Sequence, residues 1–233
     1  MKMKSWAKFG AVSAMLLSGY THAALVLGQN YTVLAKPIPQ TQPSKIEVLE
    51  FFGYFCVHCY HFDPVLLKRA QAFPKDVYLR TSHVVWQPDM LGLARVAAAV
   101  DNASLKYQSD QAIFKAVYEQ KIDLSDSATF KQWAIAQKDF DSKKLMAAYD
   151  APATLVQAKQ MQALTETYRI DSTPTVIVGG KYQVKFRSDN WAEGMITVDE
   201  LIAKVRSERQ AKVVRKQSLL KSRGATFAKT ANQ

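Results

Sequence analysis

Cys56 and Cys59 are the only cysteines among 233 residues, and they stand three apart in Phe55-Cys56-Val57-His58-Cys59-Tyr60. Two thiols at this spacing can close a disulfide or reopen it. With no third cysteine in the chain, the pair exchanges internally or with a visiting protein. A bridge across so short a loop removes little entropy from the unfolded chain, which makes it a poor staple. The rival is a metal-binding thiol module built from Cys56, His58, Cys59 and His61. Structural zinc usually draws on two widely separated ligand pairs, whereas these four fall within six residues. The spacing therefore points to reversible thiol–disulfide chemistry, with no metal and no organic cofactor required.

Exchange needs one thiolate that is stable and open to attack. Ile46-Glu-Val-Leu-Glu-Phe-Phe52 is largely apolar and reads as a central strand, which Gly53 breaks. A helical pattern starts at Cys56. That places Cys56 in a first helical turn, where unpaired N–H groups and the positive dipole end favour an anion. Cys59 lies one turn further in, so Cys56 is the attacking and leaving sulfur and Cys59 the resolving one. His58 can add a positive charge or a hydrogen bond to the thiolate. Glu50 sits in the strand six residues before Cys56. A buried carboxylate needs a partner or exchanges its proton, so Glu50 is either a proton relay to Cys59 or an exposed edge residue. Far along the chain, Ser172-Thr173-Pro174-Thr175 opens a second strand. A cis Thr173–Pro174 bond would turn the Thr173 backbone towards the cysteines, and an ordinary trans turn is the alternative.

The remaining pattern places these residues in a fold. A short strand at Tyr31–Leu34 precedes a proline-rich linker, and Val77–Val85 reads as a strong strand. Pro64 is expected to interrupt and kink the cysteine helix. Residues 89–168 carry periodic, alanine-rich helical segments, with starts at Asp126, Ser127 and Asp141. Thr175–Val178 and Lys181–Val184 form a hairpin about Gly179-Gly180. A final helix is expected to begin at Thr197 with a Thr197/Glu200 capping box. This order, a βαβ unit followed by a hairpin and a closing helix, is the thioredoxin topology carrying an inserted all-helical domain. The expected division is a thioredoxin-like domain at 24–88 and 169–216, a helical insertion at 89–168, and a basic flexible tail at 217–233.

Charge and targeting bound the setting. The net charge of +11 resides in residues 1–23 and in residues 204–233, where nine Lys or Arg face one acid, so the body between is neutral. A nucleic-acid partner would require a basic face on the fold itself, and that class is excluded. Lys2, Lys4 and Lys8 precede an apolar run from Phe9 to Leu17, and Thr21-His22-Ala23 supplies small residues at −3 and −1. This pattern predicts a secretory signal cleaved after Ala23, too short to span a bilayer, and hence an oxidising compartment.

Val48-Leu-Glu-Phe-Phe-Gly-Tyr-Phe-Cys-Val-His-Cys-Tyr-His-Phe-Asp63 and Thr173-Pro-Thr-Val-Ile-Val-Gly-Gly-Lys-Tyr182 together resemble the DsbA family of bacterial thiol–disulfide oxidoreductases, most closely its neisserial branch. The resemblance runs from about Tyr31 to Lys204. It implies a cis-proline at Pro174, a nucleophilic Cys56, Glu50 as the buried acid, and a substrate-facing surface formed by Thr173, Pro174 and Val57. It also implies a periplasmic oxidase that donates its disulfide to newly exported cysteine-containing proteins and is reoxidised by a quinone-linked DsbB-type membrane protein. The best-known members carry Pro-His between the cysteines where this chain has Val57-His58. A reductase or isomerase of the same fold is the nearest rival. Residues 24–45 are too short for the dimerisation module such isomerases carry, so a monomer is expected.

Overall fold

Strand β2 (Ile46–Phe52) is buried along its whole length, as an apolar run with helices on both sides requires. The computed structural model describes residues 25–187 and 190–230, and the expected export signal at 1–23 lies outside them. Around β2 are β1 (Tyr31–Val33), β3 (Val77–His83), β4 (Thr175–Val178) and β5 (Tyr182–Val184), in the sheet order β1-β5-β4-β2-β3. β2 and β3 are parallel, from Ile46 opposite Val77 to Phe52 opposite His83. The crossover between them is α1 (Val57–Gln71). β4 runs antiparallel to β2, with Glu50 opposite Val176, and β5 runs antiparallel to β4. This mixed sheet is a thioredoxin fold. Between β3 and β4 lie α2 (Leu91–Asn102), α3 (Lys106–Phe114), α4 (Ser127–Ile135), α5 (Ser142–Asp150) and α6 (Pro152–Thr167). A π-helical turn at Lys115–Glu119 extends α3.

The period-2 alternation of a strand sends β2 side chains to opposite faces. Ile46 and Val48 join Phe62 and Leu66 of α1 and Val198, Leu201 and Ile202 of the last helix in one core cluster. Leu49 and Phe51 pack on the other face with Ile38, Val84, Ile170 and Ile177. Glu50 and Phe52 share the face of Ile46 and Val48. There Phe52 and Cys59 become part of a third core, built mainly by the inserted helices around Phe114, Phe130, Leu145 and Tyr149. The insertion thus closes directly over the strand end that leads to the cysteines.

Local chemistry explains most of the boundaries. Asp126 and Asp141 cap α4 and α5, their carboxylates accepting the N–H groups of Thr129 at 2.8 Å and Lys144 at 2.9 Å. Pro64 lies inside α1, which continues through it. Pro64 cannot supply the N–H that would bond the Tyr60 carbonyl. The Gln111 side-chain amide of α3 reaches that oxygen at 3.4 Å. The connection from β4 to β5 comprises Gly179, Gly180 and Lys181, with both glycines at positive φ (63° and 68°).

One expectation about the C-terminal region is corrected. The last helix, α7, spans Trp191–Thr230, so Thr197 lies within it rather than at its start. The Asn190 side chain accepts the Glu193 N–H at 3.3 Å and takes the capping role. Trp191 packs on Phe62 and Phe186, which draws the helix start back to that point. The Thr197 hydroxyl instead donates to the Glu193 carbonyl at 3.5 Å, as a threonine inside a helix does. Beyond Gln217, in the segment expected as a basic flexible tail, the backbone is helical to Thr230. Arg69–Asp199 (2.6 Å) and Arg206–Asp76 (2.8 Å) tie α7 to α1 and to the start of β3. Among the described residues no helix is long and apolar enough to cross a membrane.

Gly180 tests the hairpin. A Cβ there would sit 2.1 Å from the Ile38 carbonyl oxygen, on a backbone already at φ +68°. Gly180→Ala should destabilise the fold by more than about 1 kcal/mol in urea unfolding. Gly28→Ala, at φ +85° but with nothing within 4 Å, should cost less.

Candidate active site

Cys56 is the N-cap of α1, with extended backbone (φ −93°, ψ 117°). Its sulfur therefore faces the unpaired N–H groups of the first turn, and it accepts the Cys59 N–H at 3.3 Å. The Cys56 N–H donates to the Gly53 carbonyl at 2.9 Å, closing the strand-to-helix turn. The turn is held from below by β3. His83 is fully buried, and burial pushes its pKa down to about 3. Its neutral ring accepts the Tyr54 N–H on Nε2 at 3.1 Å, so Nδ1 carries the proton, 2.7 Å from the Val84 carbonyl. The Phe55 ring stacks edge-on to His83 and tilts against Trp86.

The two sulfurs are unbridged and occupy opposite environments. Cys56 is partly exposed and Cys59 is buried against Phe52 and Tyr54. The Cys56 pKa falls to about 5. Its largest cause is the hydrogen bond from the Cys59 thiol, opposed by partial burial and aided by Thr173 and the backbone N–H groups of Cys59 and His58. Burial drives Cys59 far up instead, reinforced by its bond to Cys56 and by the nearby Glu50 charge. The Thr173–Pro174 bond is cis, and the Cys56 sulfur lies 3.5 Å from the Thr173 carbonyl.

The expected residues thus gather around one helix start. Val57 is the first residue of α1 and is half-buried, and His58 is exposed with its ring 6.3 Å from that of Trp191. Thr173 and Pro174 are half-buried beside Cys56. Glu50 is 1% exposed in central β2, so the edge-strand alternative fails. Burial raises its pKa to about 8, against the pull of Lys106.

Sequence reasoning missed what surrounds Glu50. Asp63 of α1, Asp101 of α2, and Lys106 and Asp110 of α3 form an ionic cluster under the cysteines. Lys106 pairs with Asp110 and lies 4.5 Å above the Phe52 ring. The Tyr54 hydroxyl donates to Asp110 at 2.8 Å, and Gln111 donates to Asp63 at 2.9 Å. Burial pushes Asp63 and Asp101 each up to about 7. The available signals were weak. Asp63 lies one helical turn past Cys59, and Lys106 and Asp110 are i,i+4 partners, a pattern common on solvated helix faces. Among the described residues, no three His, Cys, Asp or Glu side chains converge as metal ligands.

Such a constellation defines a thioredoxin-fold redox protein, and comparison with known proteins narrows it. The family model described as Thioredoxin matches residues 42–215. The thiol:disulfide interchange protein DsbA of Burkholderia cepacia is 30% identical over 183 residues, covering 78% of this chain and 86% of that protein. DsbA of Pseudomonas aeruginosa is 28% identical over 186 residues, covering 77% and 85%. Among solved structures, the oxidoreductase NmDsbA3 from Neisseria meningitidis is 64% identical with a TM-score of 0.74, covering 80% of this chain and all of that one. Reduced DsbA1 from the same organism is 56% identical with a TM-score of 0.78, covering 81% and 99%. The chain belongs to the DsbA family of disulfide-forming thiol:disulfide oxidoreductases.

The depressed Cys56 pKa makes stability depend on both pH and redox state. The folded thiol ionises at about 5 and an unfolded one near 9, so the native thiolate contributes fully above pH 9 and is lost as pH falls through 5. The stability of the reduced protein relative to the disulfide form should therefore shrink as pH drops from 9 to 5. Paired urea unfolding curves check this. Thiolate absorbance should titrate with a midpoint near pH 5 and vanish in Cys56→Ser.

Proposed function

We propose that this protein acts in the periplasm as a dithiol oxidase of newly exported cysteine-containing proteins. The observation that carries the reading is the opposed placement of the two sulfurs, Cys56 at the N-cap of α1 and Cys59 buried one turn further in. Stabilising Cys56 as a thiolate stabilises the reduced protein, which makes the disulfide form the stronger oxidant. A substrate thiolate attacks the Cys56 sulfur and the Cys56–Cys59 bond breaks. Cys59 leaves with the electron pair and takes a proton, for which Glu50 is the donor. A second substrate thiolate then attacks the substrate sulfur of the mixed disulfide and expels Cys56 as a stable thiolate. The substrate is oxidised by two electrons and the enzyme is left reduced.

Other residues fit this cycle. The exposed rim of Trp86 and His58 beside Cys56 offers an approach for an extended substrate segment. Thr173, Pro174 and Val57 line that approach, the Thr173 backbone standing beside the sulfur that forms the mixed disulfide. Reoxidation falls to a quinone-linked DsbB-type membrane protein, whose disulfide the partly exposed Cys56 thiolate attacks before Cys59 resolves the mixed disulfide. The enzyme works as a monomer, with the thioredoxin-like part at 24–88 and 169–216 and the insertion at 89–168. The N-terminal 23 residues direct export and are removed.

Cys59→Ser should trap substrates as mixed disulfides at Cys56, visible as thiol-sensitive adducts on non-reducing gels, and Cys56→Ser should trap none. Equilibration with glutathione should give a potential well above thioredoxin's value of about −270 mV, towards the roughly −120 mV for which DsbA itself is the reference case. A thioredoxin-like value would move the protein to the reductases.

A further inference from the structure

The ionic cluster beneath the cysteines contains a cation that the exchange chemistry above leaves without a role. We propose that Lys106, supplied by the helical insertion, is a positioning residue that keeps Glu50 able both to give up a proton and to take it back, so that its loss impairs reoxidation before it impairs substrate oxidation. This rests on the reading of Glu50 as the proton partner of Cys59.

Geometry carries the argument. The Lys106 side chain is 12% exposed and pairs with the fully buried Asp110 one helical turn on. The second Asp110 oxygen is occupied by the Tyr54 hydroxyl, so the acceptor that holds Lys106 is itself anchored to the loop carrying Cys56. From there the ammonium stands over the Phe52 ring, two residues along β2 from Glu50 and on the same strand face. The groups acting on Glu50 come from the elements packed about it: Asp63 from α1, Lys106 and Asp110 from α3, and the cysteine pair itself, while Asp101 from α2 acts on Lys106. His83 from β3 is neutral. One cation thus faces four carboxylates in a buried region.

The chemistry needs that cation in one direction more than in the other. During substrate oxidation the Glu50 carboxylic acid gives its proton to the departing Cys59 sulfur and becomes a carboxylate. During reoxidation the Cys59 thiol returns the proton to the Glu50 carboxylate. The Cys59 thiolate then attacks Cys56 in its mixed disulfide with the oxidant, and the oxidant's thiolate is expelled. Donation requires the acid form and acceptance the carboxylate. A group serves both near neutral pH only if its ionisation lies there. Burial, the Asp63 and Asp110 carboxylates and the Cys56 sulfur hold the proton on Glu50, and Lys106 opposes them. Without the ammonium, Glu50 remains an acid that can still donate but no longer accepts.

The test uses the whole chain with Lys106→Met and follows the two half-reactions across pH 5–9. One is oxidation of a dithiol peptide by the disulfide form. The other is reoxidation of the reduced form by oxidised glutathione, read as release of the second glutathione when Cys59 resolves the mixed disulfide. The expected result is a reoxidation profile displaced upward by at least about one pH unit, with a rate at pH 7 lowered about tenfold, since one unit changes the ionised fraction tenfold. Peptide oxidation should change less, and Lys106→Arg should restore the profile. An unmoved reoxidation profile, or equal slowing of both arms without displacement, would overturn the proposal. If Lys106→Met fails to fold, Lys106→Gln, which can still hydrogen-bond to Asp110, carries the same expectation. Glu50→Gln separates the two readings. If it leaves the reoxidation profile intact, the role of Glu50 itself is wrong. If it removes the pH dependence while Lys106→Met does nothing, only the role of Lys106 is wrong. In the double variant Lys106→Met should add nothing to Glu50→Gln.

Discussion

A negative charge on one sulfur and a proton on another, three residues away, is the condition around which this structure is arranged. Both sulfurs belong to one helix turn, so the difference must come from their surroundings. Cys56 gains its charge by standing just outside α1, where the free N–H groups of the first turn point at it. Cys59 sits one turn inside, surrounded by Phe52, Tyr54 and the insertion's core. A shift of a single residue in the strand-to-helix turn would take Cys56 off the N-cap. The turn is accordingly fixed from several sides: the Gly53 carbonyl bonds to Cys56, His83 bonds to Tyr54, and a Cβ on Gly53 would meet the Phe55 ring at 2.7 Å.

The same condition accounts for the insertion's polar underside. Burying Glu50, Asp63, Asp101, Lys106 and Asp110 together does not favour stability, because desolvating charges commonly costs more than their attraction returns. An apolar packing of equal volume would serve the fold better. The cluster makes sense where protons must enter and leave beneath Cys59, a sulfur buried too deeply to exchange them freely with solvent. Its attachment to the active-site loop through Tyr54 and Asp110 links the insertion's position to that exchange.

How much of this the sequence revealed depended on the range of the interactions. β2, α1 and β3 were legible because strand and helix periods are local, and Asp126 and Asp141 announced their helices by capping chemistry. The roles of Cys56 and Cys59 followed from position alone. Thr197 misled because a Thr-x-x-Glu pattern is the same at a helix start and in a helix interior. The choice was made by Trp191 packing on Phe62, 129 positions away in the chain. The ionic cluster was invisible for the same reason. Glu50 and Lys106 meet only because the insertion folds back over β2, and read alone Lys106 and Asp110 resemble a solvated helix face. The cis state of Thr173–Pro174 was open on the residues themselves and followed only from family resemblance.

The dipeptide between the cysteines can now be weighed against the rest of the site. Val57 and His58 replace the Pro-His of the best-known relatives, which made oxidant strength the open question. In the structure, the His58 backbone N–H is among the groups favouring the thiolate. A backbone N–H at that position is present whatever the side chain, because only proline lacks one and the proline of the relatives stands at the position of Val57. The largest cause that lowers the Cys56 pKa, the hydrogen bond from the Cys59 thiol, lies outside the dipeptide, as does the Thr173 side-chain hydrogen bond. The Cys56 thiolate is therefore favoured mainly from the helix start, from Cys59 and from Thr173.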